Sequence, residues 1–120
     1  MAQVKEYIGK VKPDWCPGCG DFAVLNALQR ALADLDIAPH NVQIVSGIGC
    51  SSNLPGFINA YGFHSLHGRS LPVATGCRLG NTDLTVVAVG GDGDGYGIGA
   101  GHFVHTCRRN VNMTYIVMDN

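Results

Sequence analysis

Hydrophobic and polar positions follow several distinct rhythms along this 120-residue chain, and each rhythm predicts an element. From Asp21, beside Gly20, the apolar residues Phe22, Leu25, Leu28, Leu32 and Leu35 recur at helical spacing, while Gln29, Arg30 and Asp34 fall off that stripe. This pattern predicts an amphipathic helix with Asp21 as its N-cap, ended before Pro39. Residues 41–46, a short β-rich run closed by Gly47, predict a strand, and a helical piece follows around Pro55 to Tyr61. Residues 62–83 read mostly as loop, with a brief extended piece near Leu71 to Ala74. Thr85 to Val89 is a continuous apolar, β-branched run of the kind buried on both faces of a parallel sheet. The glycine–aspartate stretch 90–95 leads into a predicted helix from about Ile98 to Arg109, and Met113 to Met118 predicts the next strand. A strand–helix–strand unit of this kind makes the fold class α/β, with a mostly parallel sheet flanked by helices. Its crossover puts the carboxyl ends of both strands on one edge. The first fifteen residues alternate weakly, contain Pro13, and read as an arm of low order.

Composition narrows the function classes. Only 14% of residues are charged against roughly 25% in an average soluble domain, and 17 of 120 are glycine. A disordered tail, a coiled coil and a charge-laced helical repeat are excluded by those values. Eight Lys and Arg against nine Asp and Glu give a net charge of −1 with no basic run, so the chain offers nothing for a nucleic-acid backbone. No apolar run approaches the roughly 20 residues of a membrane span, and the first ten residues lack a signal-peptide core. The expectation is a cytoplasmic chain with neither nucleic acid nor membrane as partner, whose charge-poor surface is covered by other chains.

Two polar clusters fall at the shared edge of the predicted strands: Gly91-Asp92-Gly93-Asp94 after the first and Asp119-Asn120 after the second. Ligands of open α/β sheets bind there. A glycine-rich turn before a helix suits a phosphate, but two carboxylates repel one unless a divalent cation lies between. The Asp92 carboxylate and the Asn120 side-chain carbonyl are hard oxygen ligands suited to Mg²⁺ bridging to a diphosphate. Two other readings stay open at this point. The aspartates could simply cap the helix and shape the turn. Alternatively, Gly95-x-Gly97-x-x-Ala100 with Asp119 fits a dinucleotide fingerprint, although five residues (GGDGD) intervene where such a loop turns directly after its strand.

The five cysteines are an odd number in a chain without an export signal, which points to metal or redox chemistry rather than a disulfide framework. Cys16 and Cys19 form a C-x-x-C, and Cys50 must arrive from another loop. Zinc and an iron–sulfur cluster both take such thiolates. Cys77 and Cys107 read as small buried hydrophobes. His102 and His105 read as packing residues of one helical turn, and His64 as a loop residue.

The segments VKPDWCPGCGDFAVLNALQRAL, GIGCSSNLPGF, YGFHSLHGRSLPVATG and VGGDGDGYGIGAGHFVH carry a resemblance. Gly91-Asp92-Gly93 is followed 28 positions after Asp92 by Asn120, a spacing that resembles a thiamine diphosphate motif. Taken together these segments resemble the β subunit of 2-oxoacid:ferredoxin oxidoreductases, from about Lys12 onward. The resemblance implies a thiamine diphosphate-binding fold and a [4Fe-4S] cluster held by Cys16, Cys19 and Cys50, with a fourth cysteine beyond residue 120. It implies Mg²⁺ on Asp92 and Asn120, and thiamine diphosphate lined by Cys50, Ser51, Ser52, Asn53, His67, Gly93 and Asp94. Residues 1–20 would then be an arm carrying cluster ligands, and residues 21–120 the N-terminal part of a longer cofactor-binding domain. Asn53, where relatives often carry a basic residue, and Cys77, where Val or Ile is commoner, depart from the family pattern.

The implied activity is oxidative decarboxylation of a 2-oxoacid to acyl-coenzyme A and CO₂, with electrons passed to ferredoxin. The competing expectation is a non-catalytic zinc- or dinucleotide-binding domain. Thiamine enzymes generally use a glutamate against the cofactor's aminopyrimidine ring, and Glu6, in the N-terminal arm, is the sole glutamate. The activating group is therefore expected from an α subunit, and this chain alone is expected to be inactive.

Overall fold

A computed structural model describes the whole chain, Met1–Asn120. Strands β1 (Val42–Ser46), β2 (Tyr61–His64), β3 (Thr85–Gly91) and β4 (Thr114–Met118) form one sheet in the order β2-β1-β3-β4. Every neighbouring pair is parallel. Helix α1 (Asp21–Asp34) precedes β1, and helices α2 (Leu54–Phe57), α3 (Ser70–Gly80) and α4 (Ala100–Arg109) make the connections between strands.

Alternate residues of a strand point to opposite faces, so a central strand covered on both sides must be apolar throughout. In β3, Val87 and Val89 join Leu25, Leu28 and Leu32 of α1 in the larger core, together with Val42 and Ile44 of β1. Val86 and Ala88 face the other way, against Val45 and the α3 residues Leu71 and Ala74. Helix α4 lies outermost on that second face, contributing the half-buried Phe103 and no buried residue. The α/β class and the strand–helix–strand unit read from the sequence are therefore present, with bounds displaced by a few residues.

Four expectations are corrected. The stretch near Leu71–Ala74 is helical, not extended. Its β-branched residues and glycines disfavour a helix only weakly, and Pro72 falls in the first turn, where a missing N–H costs little. Spacing Leu71 and Ala74 three apart then docks both on the sheet. Secondly, β2 occupies part of what reads as loop. It is an edge strand whose four residues are all exposed, so it carries no alternation. Thirdly, Gly20 takes the N-cap position of α1, and Asp21 is its first helical residue.

The N-terminal segment is the fourth correction, because it is not a low-order arm. Tyr7 is fully buried and Trp15 nearly so, both in the larger core. The Tyr7 hydroxyl donates to the Ile37 carbonyl, Gln29 Nε2 donates to the Tyr7 carbonyl at 3.2 Å, and Ile8 bridges Ile58 antiparallel. A weakly alternating stretch held by two isolated aromatic anchors has no period for a sequence reading to detect. Tyr7→Ala should cost about 3–5 kcal/mol of unfolding free energy, as for other large buried aromatics, read as a lowered denaturant midpoint. A change below about 0.5 kcal/mol would restore the loose-arm reading.

Candidate functional site

Because all four strands are parallel, their carboxyl ends share one edge, and each loop leaving that edge carries residues singled out from the sequence. After β1 come Gly47 to Asn53; after β2, Ser65 to Gly68; after β3, Asp92 to Asp94; after β4, Asp119 and Asn120.

The cysteine side of this edge is built by two turns. Pro17-Gly18 forms the corner of the C-x-x-C, with Cys19 N–H donating to the Cys16 carbonyl at 3.0 Å and Gly18 at φ +81°. Pro at the second position and a positive-φ Gly at the third define a type II turn. Gly49, at φ +120°, turns the chain out of β1 into the 3₁₀ turn Cys50–Asn53. The sole tryptophan ties the two turns together: Trp15 Nε1–H donates to the Cys50 carbonyl at 2.7 Å, and its ring meets Phe22 and Phe57 edge-on. Cys16, Cys19 and Cys50 consequently line one cavity of about 470 Å³ with Asp14, Trp15, Asn53 and Asn120. No three metal-ligating side chains converge on a single point. Cys16 and Cys50 are exposed and Cys19 is partly so.

On the glycine–aspartate side, Gly91 pairs with Met118 across β3 and β4, so Asp92 and Asn120 leave adjacent strand ends, both exposed. A Cβ on Gly93 would meet no atom within 4 Å. Asn120 Nδ2 donates to Asp21 Oδ2 at 3.3 Å and lies 3.5 Å from the Cys19 sulfur, leaving its carbonyl oxygen free. Asp21 is 1% exposed, and burial holds its carboxyl above the usual carboxylate range, an effect opposed in part by the Cys19 thiol. Ser51 and Ser52 are buried with hydroxyls that lack any partner, and the Ser51 hydroxyl lies beneath Gly91. Unpaired buried hydroxyls are costly, each by about 1–3 kcal/mol.

Beyond Gly91 the chain winds at once into a wide π-helical turn, Gly93–Ile98, closed by Gly99 N–H donating to the Asp94 carbonyl at 2.9 Å. Such wide turns concentrate at functional sites. The expected loop is thus already helical, and Gly95, Gly97 and Ala100 lie within or just past this turn rather than in a tight strand-to-helix loop. His67 is half-exposed, with Nε2 3.8 Å from Asp94 Oδ1. His64 Nδ1 lies 3.1 Å from the Ser46 hydroxyl.

Two minor readings change. Cys107 is exposed rather than buried, whereas Cys77 does pack against the smaller core. On α4, His105 is likewise exposed, and His102 only half-buried, so neither is a core packing residue. The sequence reading gave Trp15 no role and took Asp21 only for a helix cap, although a lone tryptophan directly before C-x-x-C and an acid so close after it were visible signals.

The fold and this edge define a class: a parallel α/β domain whose four strand-end loops open on one edge of the sheet. The family described as thiamine pyrophosphate enzyme, C-terminal TPP binding domain, matches residues 41–120, and the chain belongs to it. It is 53% identical over 106 residues to 2-oxoacid:ferredoxin oxidoreductase 2, subunit beta, of Aeropyrum pernix, a match covering 88% of this chain and 34% of that protein. It is 44% identical over 116 residues to 2-oxoglutarate oxidoreductase subunit KorB of Mycobacterium tuberculosis, covering 97% and 31%. The backbone superposes on a solved 2-oxoglutarate:ferredoxin oxidoreductase from Magnetococcus marinus with 2-oxoglutarate, coenzyme A and succinyl-CoA bound. That match has a TM-score of 0.96 at 52% identity and covers 98% of this chain and 40% of the other. The chain spans about a third of the length of these curated relatives.

Tyr115 of β4 stands behind this edge. Burial, and after it the Asp94 carboxylate, push its hydroxyl up to about 12. An unfolded tyrosine releases its proton near pH 10, so above that pH the unfolded state binds fewer protons than the native one. Stability should therefore fall as pH rises from about 10 towards about 12, and Tyr115→Phe should lessen that fall. Denaturant midpoints of both proteins across this range measure it; identical pH slopes would contradict the assignment.

Proposed function

We propose that this chain contributes the thiamine diphosphate site and three cluster cysteines to the β subunit of a 2-oxoacid:ferredoxin oxidoreductase. The observation that carries the reading is the Asn120 side chain. Its amide meets Asp21 and Cys19, residues about a hundred positions away, so the cysteine cavity and the glycine–aspartate turn become one continuous site.

The donor set suits the groups. Asp92 and Asn120 offer hard oxygens from neighbouring strand ends, as Mg²⁺ requires, and the Asp21 contact engages the Asn120 amide nitrogen, which leaves its carbonyl oxygen for that purpose. Gly93 leaves room for a diphosphate against bare backbone, and the Cys50–Asn53 turn, His67 and the backbone at Asp94 border the same space. Three thiols spread around a cavity of about 470 Å³ suit a [4Fe-4S] cluster, whose thiolates sit on different irons, better than a single zinc ion with each sulfur at about 2.3 Å.

Bound there, thiamine diphosphate supplies an electron sink for loss of CO₂ from a 2-oxoacid, and the cluster a one-electron path to ferredoxin. The chain's own part is placement. Trp15 fixes the Cys50 loop relative to the C-x-x-C turn, and the parallel ladder fixes Asp92 relative to Asn120. Glu6 lies at the first 3₁₀ turn, with its carboxylate accepting from Gln3 N–H at 2.6 Å, and is committed there. The acid that activates the cofactor, and with it turnover to acyl-coenzyme A, is assigned to a partner α subunit.

In the enzyme assembled with that partner, thiamine diphosphate should bind only with Mg²⁺, and Asp92→Ala, which removes a proposed Mg²⁺ ligand, should weaken binding about a hundredfold, the upper end of what losing even a supporting partner of a bound metal costs. Calorimetric titration measures both. Unchanged affinity in the variant, or Mg²⁺-independent NAD binding in its place, would contradict the proposal.

A further inference from the structure

Asp94 is a charged residue with almost no surface. It is 3% exposed, yet it stands in the turn that borders the proposed diphosphate site. One carboxylate oxygen, Oδ1, accepts from two backbone N–H groups, Ile48 at 3.0 Å and Gly68 at 2.7 Å. Those donors belong to the loops after β1 and after β2, so a single side chain from the β3 loop joins three of the four strand-end loops. The other oxygen, Oδ2, is buried without a hydrogen-bond partner. It lies against the backbone of Gly47 and Gly90, where a Cβ would stand 1.9 Å and 2.7 Å from it. Glycine is required at both positions for the carboxylate to fit.

Oδ1 is taken up by these two amides, with the half-exposed His67 Nε2 farther off at 3.8 Å, and Oδ2 is closed in by backbone. We propose that the Asp94 side chain is a positioning residue, not a cofactor contact: a clamp that sets the Gly47–Cys50 and His67–Gly68 loops against the glycine–aspartate turn. What those loops hold rests on the reading under Proposed function; the clamp itself does not. The Cys50–Asn53 turn begins three residues after Gly47, and His67 precedes Gly68, so a shift of either donor displaces a residue bordering the site. The carboxylate and the Tyr115 hydroxyl both lie against Gly90, close enough for the charge to act on that hydroxyl.

The chemistry separates a clamp from a contact. An asparagine amide keeps one carbonyl oxygen for the Ile48 and Gly68 donors, and its NH₂ replaces an oxygen that accepts nothing, so Asp94→Asn should preserve the clamp. Asp94→Ala removes it and strands the buried Gly68 N–H and the part-buried Ile48 N–H.

The test has two readouts on the assembled enzyme. In cofactor-free protein, hydrogen exchange of the Ile48 and Gly68 amides should accelerate about tenfold or more in Asp94→Ala, the loss expected for a charge-assisted bond, and stay within about threefold of wild type in Asp94→Asn. Mg²⁺–thiamine diphosphate affinity should fall about tenfold or more in Asp94→Ala, and Asp94→Asn should recover most of that loss. Should Asp94→Ala not accumulate, Gly47→Ala, whose methyl collides with Oδ2, should accelerate the same two amides. Unaltered exchange in Asp94→Ala or Gly47→Ala overturns the clamp, as does an Asp94→Asn protein that exchanges or binds as poorly as Asp94→Ala. Wild-type protein that shows the exchange pattern but binds no thiamine diphosphate refutes the proposed function and leaves the clamp standing.

Discussion

Parallel pairing is the constraint on which the rest of this molecule depends. A parallel ladder sends every strand back to the same starting edge, so each connection must cross a face of the sheet and each carboxyl end must open onto the opposite edge. With four strands in the order β2-β1-β3-β4, four loops meet there. The residues of these loops are scattered from Gly47 to Asn120 in sequence. Only the common direction of the strands brings them together, and the apolar run of β3, with Val42, Ile44 and Val45 of β1 buried beside it on both faces, holds that direction.

Short, specific contacts then convert proximity into a site. The Trp15 indole fixes a loop that begins at Gly49 to a turn that ends at Cys19, and its ring is seated in the larger core by Phe22 and Phe57. Asp21 is the buried first residue of helix α1, yet its carboxylate accepts from Asn120 at the end of β4. The N-terminal segment is therefore not an accessory to the sheet. It forms one wall of the cysteine cavity, which explains why it is anchored by Tyr7 and Trp15 rather than left free.

The strongly periodic elements were readable in the sequence: α1 from its leucine stripe, β3 from five consecutive apolar or β-branched residues, and β4 with the crossover helix from their order. The elements that escaped were those whose stability comes from elsewhere. Helix α3 contains glycines and β-branched residues and exists because Leu71 and Ala74 dock on the sheet; β2 has four exposed residues and exists because β1 offers it a ladder. The candidate ligands were readable because their chemistry is local in sequence, as C-x-x-C and Gly-Asp-Gly. The groups that orient them were not, since nothing near Asp94 in the chain signals that its partners are Ile48 and Gly68. Cys107 shows the opposite failure: a cysteine on a helix was taken for a buried residue by its type, but α4 leaves it exposed.

The central claim is that this edge of the sheet carries an iron–sulfur cluster beside a thiamine diphosphate site. The most direct measurement is iron, acid-labile sulfide and zinc in the enzyme purified without oxygen and assembled with its partner, for wild type and for Cys50→Ser. The account predicts iron and sulfide in about equal amounts, roughly four of each per cluster, no stoichiometric zinc, and a loss of both iron and sulfide in the variant. About one zinc per chain with no labile sulfide, or a full cluster that survives Cys50→Ser unchanged, would contradict it.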